Sequence, residues 1–236
     1  MPGMYPVRLV LVVAWFFGFS LIFLPIVFLR PFNANNSYLY CRCLGTVGLW
    51  LMGVKYEIRN SDKLDSSRPC VFVINHQSLT DVFFVGRLLP QNTVTVGKSS
   101  LRWIPLFGWI FWLGGNLFID RRNRARSMAT MKKAEDLVKE KGLSVMIAPE
   151  GTRSLKQGLL PFKRGAFYLA ANTGLKLQPI AITSFHKGVN YWRWNAGKVI
   201  AEALEPIPVQ GKTVDELSEI SHAAISRALE RLDKEV

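Results

Sequence analysis

The sequence predicts an α/β fold: a mixed, largely parallel sheet flanked by helices, preceded by an N-terminal two-helix membrane anchor. From about residue 54, short apolar runs alternate with segments of helical length. This alternation is typical of parallel βαβ units. Before that point the chain holds two long uncharged stretches. We therefore divide it into a membrane-anchoring hairpin, residues 1–53, and an α/β domain, residues 54–236.

The N-terminal stretches set the expectation for the anchor. Residues 9–29 are uncharged for 21 positions between Arg8 and Arg30. At about 1.5 Å per residue, such a helix is long enough to cross a hydrocarbon core of about 30 Å. A turn-rich connector, 31–37, precedes a second uncharged stretch of 12 residues, 43–54, which is too short to span. Arginines flank both ends of the first helix, so the sequence leaves a crossing helix possible. We favour a hairpin within one leaflet.

The α/β domain divides into short apolar strands and longer helical segments separated by turn residues. Strands are predicted at 54–59, 71–75, 93–96, 117–120, 144–148, 179–183 and 198–203. Helices are predicted near 79–89, 124–141, 164–172 and 214–234.

Charge and composition indicate which kinds of partner the protein could bind. The chain is 49% hydrophobic and carries a net charge of +13. This combination suits a protein on an anionic membrane surface, or one that binds phosphate-rich or acidic partners. Charge alone also allows nucleic acid, but the sequence has no nucleic-acid motif and no Walker loop. Its three cysteines lack the spacing of a metal site, so we expect reduced thiols and no metal.

Residues 70–81 hold the strongest candidate for catalysis. Asn75 and His76 lie at the end of a predicted apolar strand. Ser78 precedes Asp81 by three residues, a spacing typical of a helix N-cap followed by an acid in the first turn. A carboxylate beside an imidazole fixes its tautomer and suits a general base. For an isolated His-x4-Asp, a locally bonded histidine and a capping aspartate are the commoner explanation.

Basic residues follow two further strand ends. Residues 121–133 carry six basic residues and no acid, for which a solvated helix face is the usual explanation. After the strand that ends at 148, Gly151, Thr152 and Arg153 offer backbone N–H groups, a hydroxyl and a guanidinium, which suit a phosphate monoester. The same acid-free set includes Lys156, Lys163 and Arg164. In a parallel sheet these strand ends share one edge with His76.

Two aromatic segments remain open to more than one interpretation. Residues 101–113 contain three tryptophans among other large apolar residues. They predict either a core helix buried nearly all round, a lobe at the membrane interface, or the lining of an acyl-chain tunnel. Residues 190–195 are equally compatible with an interfacial patch and an ordinary loop.

Four blocks in order resemble the bacterial lysophosphatidate acyltransferases of the glycerolipid acyltransferase superfamily. They are Asn75-His76-x4-Asp81, the block 115–121 ending in Arg121, the run 149–154 (Pro-Glu-Gly-Thr-Arg-Ser), and Pro179-Ile180. Ala148 and Gln178 depart from the residues common in the family. Both flank the blocks, so these departures put local packing or acyl-chain preference in doubt.

The resemblance implies acyl transfer from an acyl carrier protein or coenzyme A thioester to the sn-2 hydroxyl of lysophosphatidate, giving phosphatidate. His76 would be the base and Asp81 its orienting carboxylate. Substrate binding would fall to Asn75, Lys98, Arg121, Glu150, Gly151, Thr152 and Arg153. We expect Glu150 to hold Arg153 or a glycerol hydroxyl.

The resemblance also implies that no cofactor or metal takes part. It places the protein at the bacterial inner membrane, with its catalytic domain facing the cytoplasm. The alternative acceptors are glycerol-3-phosphate and other lysolipids. A remote alternative is a non-enzymatic, basic membrane-associated or nucleic-acid-binding protein.

Overall fold

The computed structural model describes residues 4–64 and 69–236. Its helices are α1 (Met4–Leu29), α2 (Ala34–Met52), α3 (Asp81–Leu88), α4 (Phe107–Leu113), α5 (Arg124–Lys141), α6 (Gly165–Thr173), α7 (Phe185–Gly188) and α8 (Val214–Leu232), with 3₁₀ turns at Ser61–Leu64 and Ser99–Trp103. Its strands are β1 (Val54–Arg59), β2 (Val71–Ile74), β3 (Thr93–Lys98), β4 (Leu117–Ile119), β5 (Ser144–Ile147), β6 (Leu177–Ile182) and β7 (Gly197–Ala203).

The seven strands form one sheet in the order β1-β7-β6-β2-β5-β3-β4. The five strands from β6 to β4 run parallel, β7 runs antiparallel to β6, and β1 runs parallel to β7. The predicted mixed, largely parallel α/β sheet is confirmed. Because β2 to β6 share a direction, their C-terminal ends meet at one side of the sheet, which we call the carboxyl edge.

The two faces of the sheet carry separate cores. Along β2, Phe72 and Ile74 pack with α1 to α4, whereas Val71 and Val73 pack with α5, α6 and α8. This division follows from the alternation of side chains along a strand. Both helices of the predicted anchor therefore contribute to a core that they share with the sheet. The division at residue 53 coincides with the boundary between α2 and β1, but independence of the two parts stays a prediction.

The second helix begins earlier than the sequence predicted. Residues 34–37 were expected in the connector, yet α2 starts at Ala34 because the Asn33 side chain accepts a hydrogen bond from the backbone N–H of Asn35. The Asn36 amide donates to the carbonyl of Arg30 at 2.5 Å. These polar side chains satisfy backbone groups at the helix start, which is how such residues favour an N-terminus.

The aromatic segment 101–113 is not one continuous helix. A 3₁₀ turn leads into Pro105 and Leu106, and Leu106 has a positive φ of 61° before α4 begins at Phe107. Phe107, Ile110 and Leu113 are buried. Trp103, Trp109 and Trp112 are 81%, 56% and 47% exposed. The segment is thus not buried all round, and its three tryptophans face outward.

Candidate functional site

The carboxyl end of β2 places an imidazole against a buried carboxylate. His76 Nδ1 lies 2.5 Å from Asp81 Oδ2, and Asp81 is only 3% exposed. The same carboxylate accepts the backbone N–H groups of Gln77 at 2.8 Å and Ser78 at 3.1 Å. Asp81 is the first residue of α3, where the helix dipole favours a negative charge. These contacts fix both the carboxylate and the ring.

The predicted N-cap at Ser78 is wrong. The cap position is Thr80, whose side chain makes no capping bond to any residue that the structure describes. Instead the Asp81 carboxylate turns back and accepts the two N–H groups of the preceding loop. The His-x4-Asp spacing therefore reflects a loop that is folded around the carboxylate.

The contact between His76 and Asp81 leaves the second ring nitrogen available. With Nδ1 donating to Asp81, Nε2 carries the lone pair. Across residues 4–64 and 69–236, no hydrogen bond to Nε2 is found, and the His76 side chain is 28% exposed. An oriented imidazole with an accessible acceptor nitrogen is suited to removing a proton from a hydroxyl group.

The Glu150 side chain holds the backbone of His76. Its Oε1 accepts the N–H of His76 at 2.7 Å and its Oε2 accepts the N–H of Leu160 at 3.0 Å. Burial raises the pKa of Glu150, and these two hydrogen bonds oppose that rise. Among the described residues Glu150 bonds to these backbone N–H groups and forms no ion pair with Arg153, whereas a bond from Glu150 to a glycerol hydroxyl stays a prediction. A carboxylate so placed fixes the position of His76 relative to the loop after β5.

Two amide side chains tie the His76 loop to β6. Asn75 Nδ2 donates to the carbonyl of Ile182 at 2.9 Å, and its Oδ1 accepts the N–H of Ile182 at 2.8 Å. Gln77 donates to the carbonyls of Ile182 and Thr183 and accepts the N–H of Phe185. Gln77 was absent from the predicted site. No local signal reveals it, because its partners lie more than 100 residues away in the chain.

The loop after β5, which carries Arg153, lies beside His76. The N–H of Ser154 donates to the carbonyl of His76 at 2.8 Å, so the loop with Thr152 and Arg153 lies alongside the histidine. Both Thr152 and Arg153 are exposed. No ion pair of the Arg153 guanidinium occurs among the residues that the structure describes. An exposed, unpaired guanidinium at this position is available to an anion.

Lys163 is a further cation at this place, and the predicted site left it out. It crosses over Gly151 so closely that a Cβ at Gly151 would lie 2.8–2.9 Å from the outer atoms of the lysine side chain. Gly151 also has a φ of +67°, in the region that favours glycine. The backbone N–H of Lys163 donates to the carbonyl of Pro149 at 2.8 Å. Lys163 lies close to the Gly-Thr-Arg run because the loop folds back on itself. Sequence spacing alone does not predict this fold.

Lys98 and Arg121 lie farther along the carboxyl edge. β3 and β4 are two and three strands from β2, which corresponds to about 10 and 14 Å at 4.8 Å per strand. Lys98 is exposed at the end of β3, and Arg121 is partly buried after β4. Burial lowers the pKa of Arg121, and within the described ranges no carboxylate pairs with it. Of the predicted cations, Arg153 is therefore the one on the loop that bonds to the backbone of His76.

Several other cations of the predicted basic runs are paired within the protein. Arg126 pairs with Asp120 at 3.2 Å, Arg164 with Asp215 at 2.9 Å, and Lys132 with two acids of its own helix. These agree with the ordinary explanation of a solvated helix face.

Comparison with known proteins identifies the family. The family model described as Acyltransferase matches residues 55–183, more than half of the chain, and this segment encloses every predicted site residue. The chain belongs to the acyltransferase family. The resemblance drawn from the four sequence blocks is thereby confirmed, and the non-enzymatic alternative is excluded.

Individual acyltransferases match over most of the chain. The 1-acyl-sn-glycerol-3-phosphate acyltransferase of Haemophilus influenzae is 36% identical over 212 residues, covering 89% of this chain and 88% of the relative. The enzyme of that name from Escherichia coli is 38% identical, with 79% and 77% covered. The crystal structure of the 1-acyl-sn-glycerophosphate acyltransferase of Thermotoga maritima matches with a TM-score of 0.75 at 23% identity, over 97% of this chain and 98% of that one. This likeness supports the fold, including the N-terminal helices.

Proposed function

We propose that this acyltransferase transfers an acyl chain from a thioester to the sn-2 hydroxyl of lysophosphatidate, giving phosphatidate. The observation that carries the proposal is the oriented His76–Asp81 pair beside unpaired cations on the adjoining loop. A phosphate monoester held by Arg153, Lys163 and the backbone near Gly151 would bring a glycerol hydroxyl close to Nε2 of His76. The names of the bacterial relatives give the same acceptor.

In the proposed reaction His76 is the general base. Nε2 removes the proton of the 2-hydroxyl as its oxygen attacks the thioester carbonyl. The tetrahedral intermediate collapses with cleavage of the C–S bond, and the leaving thiolate takes the proton from the imidazolium. Asp81 stabilises the imidazolium and keeps the ring in place. Because the acceptor hydroxyl is itself the nucleophile, no acyl-enzyme is required.

We propose that the acyl donor is an acyl carrier protein or coenzyme A thioester, which serves as a co-substrate. The base and the nucleophile in this scheme are a side chain and the substrate, so we expect it to proceed without a prosthetic group or a metal. Activity that survives EDTA treatment and is not increased by added divalent ions would agree with this. Activity restored only by a metal would contradict it.

For the membrane, we propose that α1 and α2 lie in one leaflet of the bacterial inner membrane, with the catalytic domain on the cytoplasmic side. By length and composition alone, α1 could cross a membrane. Its two ends, however, both contact the domain: Arg8 bonds to the 190–195 loop, and Phe32, just beyond the helix, donates to the carbonyl of Leu113. Cysteine labelling with membrane-impermeant reagents on intact and inverted vesicles would test the arrangement.

The acceptor is tested by competition among substrates. Purified protein in anionic lipid vesicles receives a labelled acyl thioester with lysophosphatidate, glycerol-3-phosphate or lysophosphatidylcholine. We expect the highest kcat/KM with lysophosphatidate. Preference for glycerol-3-phosphate would assign the protein to the preceding acylation. Equal use of lysophosphatidylcholine would contradict the phosphate site, since its phosphate is a blocked diester.

A further inference from the structure

A buried arginine at the beginning of α1 holds the loop between α7 and β7. Arg8 is 6% exposed, although it was expected only to flank the apolar stretch. Its guanidinium donates to the backbone carbonyls of Tyr191, Arg193 and Trp194. It also lies 5.7 Å from the centre of the Trp194 ring. A buried charge is tolerated only when its donors are satisfied, and here loop carbonyls supply the acceptors.

Neighbouring residues fit the same junction. Tyr5, one turn before Arg8, has its ring 6.3 Å from that of Tyr191 and 5.0 Å from that of Trp192. At Gly53 a Cβ would meet both the Arg8 guanidinium and the carbonyl of Trp194 within 2.5 Å. The carbonyl of Gly53 in turn accepts the N–H of Ala196 at 2.8 Å. The 190–195 loop is therefore fixed between the start of α1 and the connection from α2 to β1.

The other side of this loop reaches the catalytic pair. Tyr191 is partly buried, and burial raises the pKa of its hydroxyl, whereas the nearby Thr80 side chain lowers it. The Thr80 hydroxyl lies 2.9 Å from that of Ser78, whose backbone N–H donates to Asp81 at 3.1 Å. Tyr191 and Thr80 thus lie between Arg8 and the carboxylate that orients His76.

We infer that Arg8 is a positioning residue for the reaction, which acts through Tyr191 and Thr80 on the His76–Asp81 pair. The first helix is then part of the catalytic apparatus as well as a membrane contact. Nothing in this chain of contacts reaches the acceptor cations Arg153 and Lys163, so Arg8 should affect turnover more than acceptor binding. The inference rests on the proposed function because its test measures the rate of acyl transfer.

The test compares substitutions at the two ends of α1. Arg8→Met keeps the aliphatic stem but removes every donor, and small displacements of catalytic groups lower rates by about tenfold to a hundredfold. We expect such a fall in kcat, with the KM for lysophosphatidate changed less than about threefold. Arg8→Lys, with fewer donors, should recover part of the rate. Arg30→Met is the control, since Arg30 is exposed and its side chain bonds to none of the described residues.

A double substitution tests the route. Tyr191→Phe should lower kcat by itself, and adding it to Arg8→Met should cost little more, because coupled residues are not additive. Unchanged kcat in folded, membrane-bound Arg8→Met, or fully additive effects, would overturn the inference. If Arg8→Met does not fold, as judged by circular dichroism, Tyr191→Phe decides alone, and an unchanged kcat there overturns it. Inactive wild-type protein would instead refute the proposed function.

Discussion

Asp81 is the residue whose contacts best explain how the site is held. Its carboxylate receives one imidazole N–H and two backbone N–H groups while nearly excluded from water. Hydrogen bonds to a buried carboxylate fix its direction. The ring of His76 is therefore oriented before a substrate binds, and little rearrangement is needed when the imidazolium forms.

Replacement of the histidine tests its catalytic role. We expect His76→Ala to lower kcat by at least about a hundredfold while the protein stays folded, because general base catalysis is lost. Asp81→Asn should also lower kcat, since an amide cannot stabilise the imidazolium in the same way. The measurement is turnover in vesicles with circular dichroism on the same preparations. His186→Ala is the control, because His186 is exposed and forms no hydrogen bond with a described residue. Near-normal turnover in His76→Ala would rule out the proposed base.

Lys163 and Gly151 should act together on the acceptor. A hydrogen bond to a charged group contributes about 1.5–3 kcal/mol, so Lys163→Met should raise the KM for lysophosphatidate by about tenfold or more. Gly151→Ala should do the same, because the new Cβ would displace the lysine. Initial rates over a range of acceptor concentrations measure both. Lys156→Met is the matched control, an exposed lysine on the same loop. A similar rise for Lys156→Met would show a general effect of charge.

The sequence identified those single residues that can be recognised from their type and from the spacing to their neighbours in the chain. The His-x4-Asp pair and the Gly-Thr-Arg run could be found from type and spacing. The roles of Glu150, Asn75 and Gln77 could not, because each bonds to a segment that is distant in the chain. Lys163 was visible as a charge, but its place over Gly151 depends on the folded loop.

At the scale of elements, prediction succeeded where the ends of an element are determined locally. The bounds of α5 were predicted correctly, since Asn123 caps its start and Gly142 adopts a left-handed conformation at its end. The first turn of α2 combines a local cap by Asn33 with contacts to other segments. Ser37, for example, donates to the carbonyl of Gly114, 77 residues away. Sequence patterns do not contain such contacts.

The helical hairpin should contact lipid through the exposed side of α1. Val10, Ile22 and Leu29 are 66%, 72% and 83% exposed. Deletion of residues 1–53 would uncover the core that α1 and α2 share with Phe72 and Phe84, so deletion would test folding more than anchoring.

Point substitutions separate anchoring from folding. Burial of an apolar side chain of this size contributes about 1.5–3 kcal/mol, so Ile22→Asp with Leu29→Asp should lower vesicle binding by at least about tenfold. Flotation in high salt measures the binding, and thermal unfolding in detergent checks the fold. Met128→Asp on α5, at a position 63% exposed, is the control. Undiminished binding of the double variant would assign the membrane contact to the exposed tryptophans around α4 instead.

Across the whole molecule, the positive charge is unevenly distributed. The net charge is +13, yet residues 212–236 carry four basic and six acidic residues. The positive excess therefore lies elsewhere and includes the carboxyl edge. There Arg122 and Arg124 are exposed and, in the described part of the chain, lack carboxylate partners. We expect such an arrangement to attract an acidic macromolecule toward the edge where His76 lies.

Salt should therefore affect the two acyl donors differently. The screening length is about 10 Å at 0.1 M salt, so added salt weakens long-range attraction to an acidic carrier protein. Between 50 and 500 mM NaCl we expect about a tenfold fall in kcat/KM for the carrier-protein thioester and a smaller fall for the coenzyme A thioester. Arg122→Ala with Arg124→Ala should flatten the salt dependence for the carrier protein, whereas Arg227→Ala on α8 should leave it unchanged. Equal salt dependence for both donors, unaltered by the double substitution, would exclude a docking role for this surface.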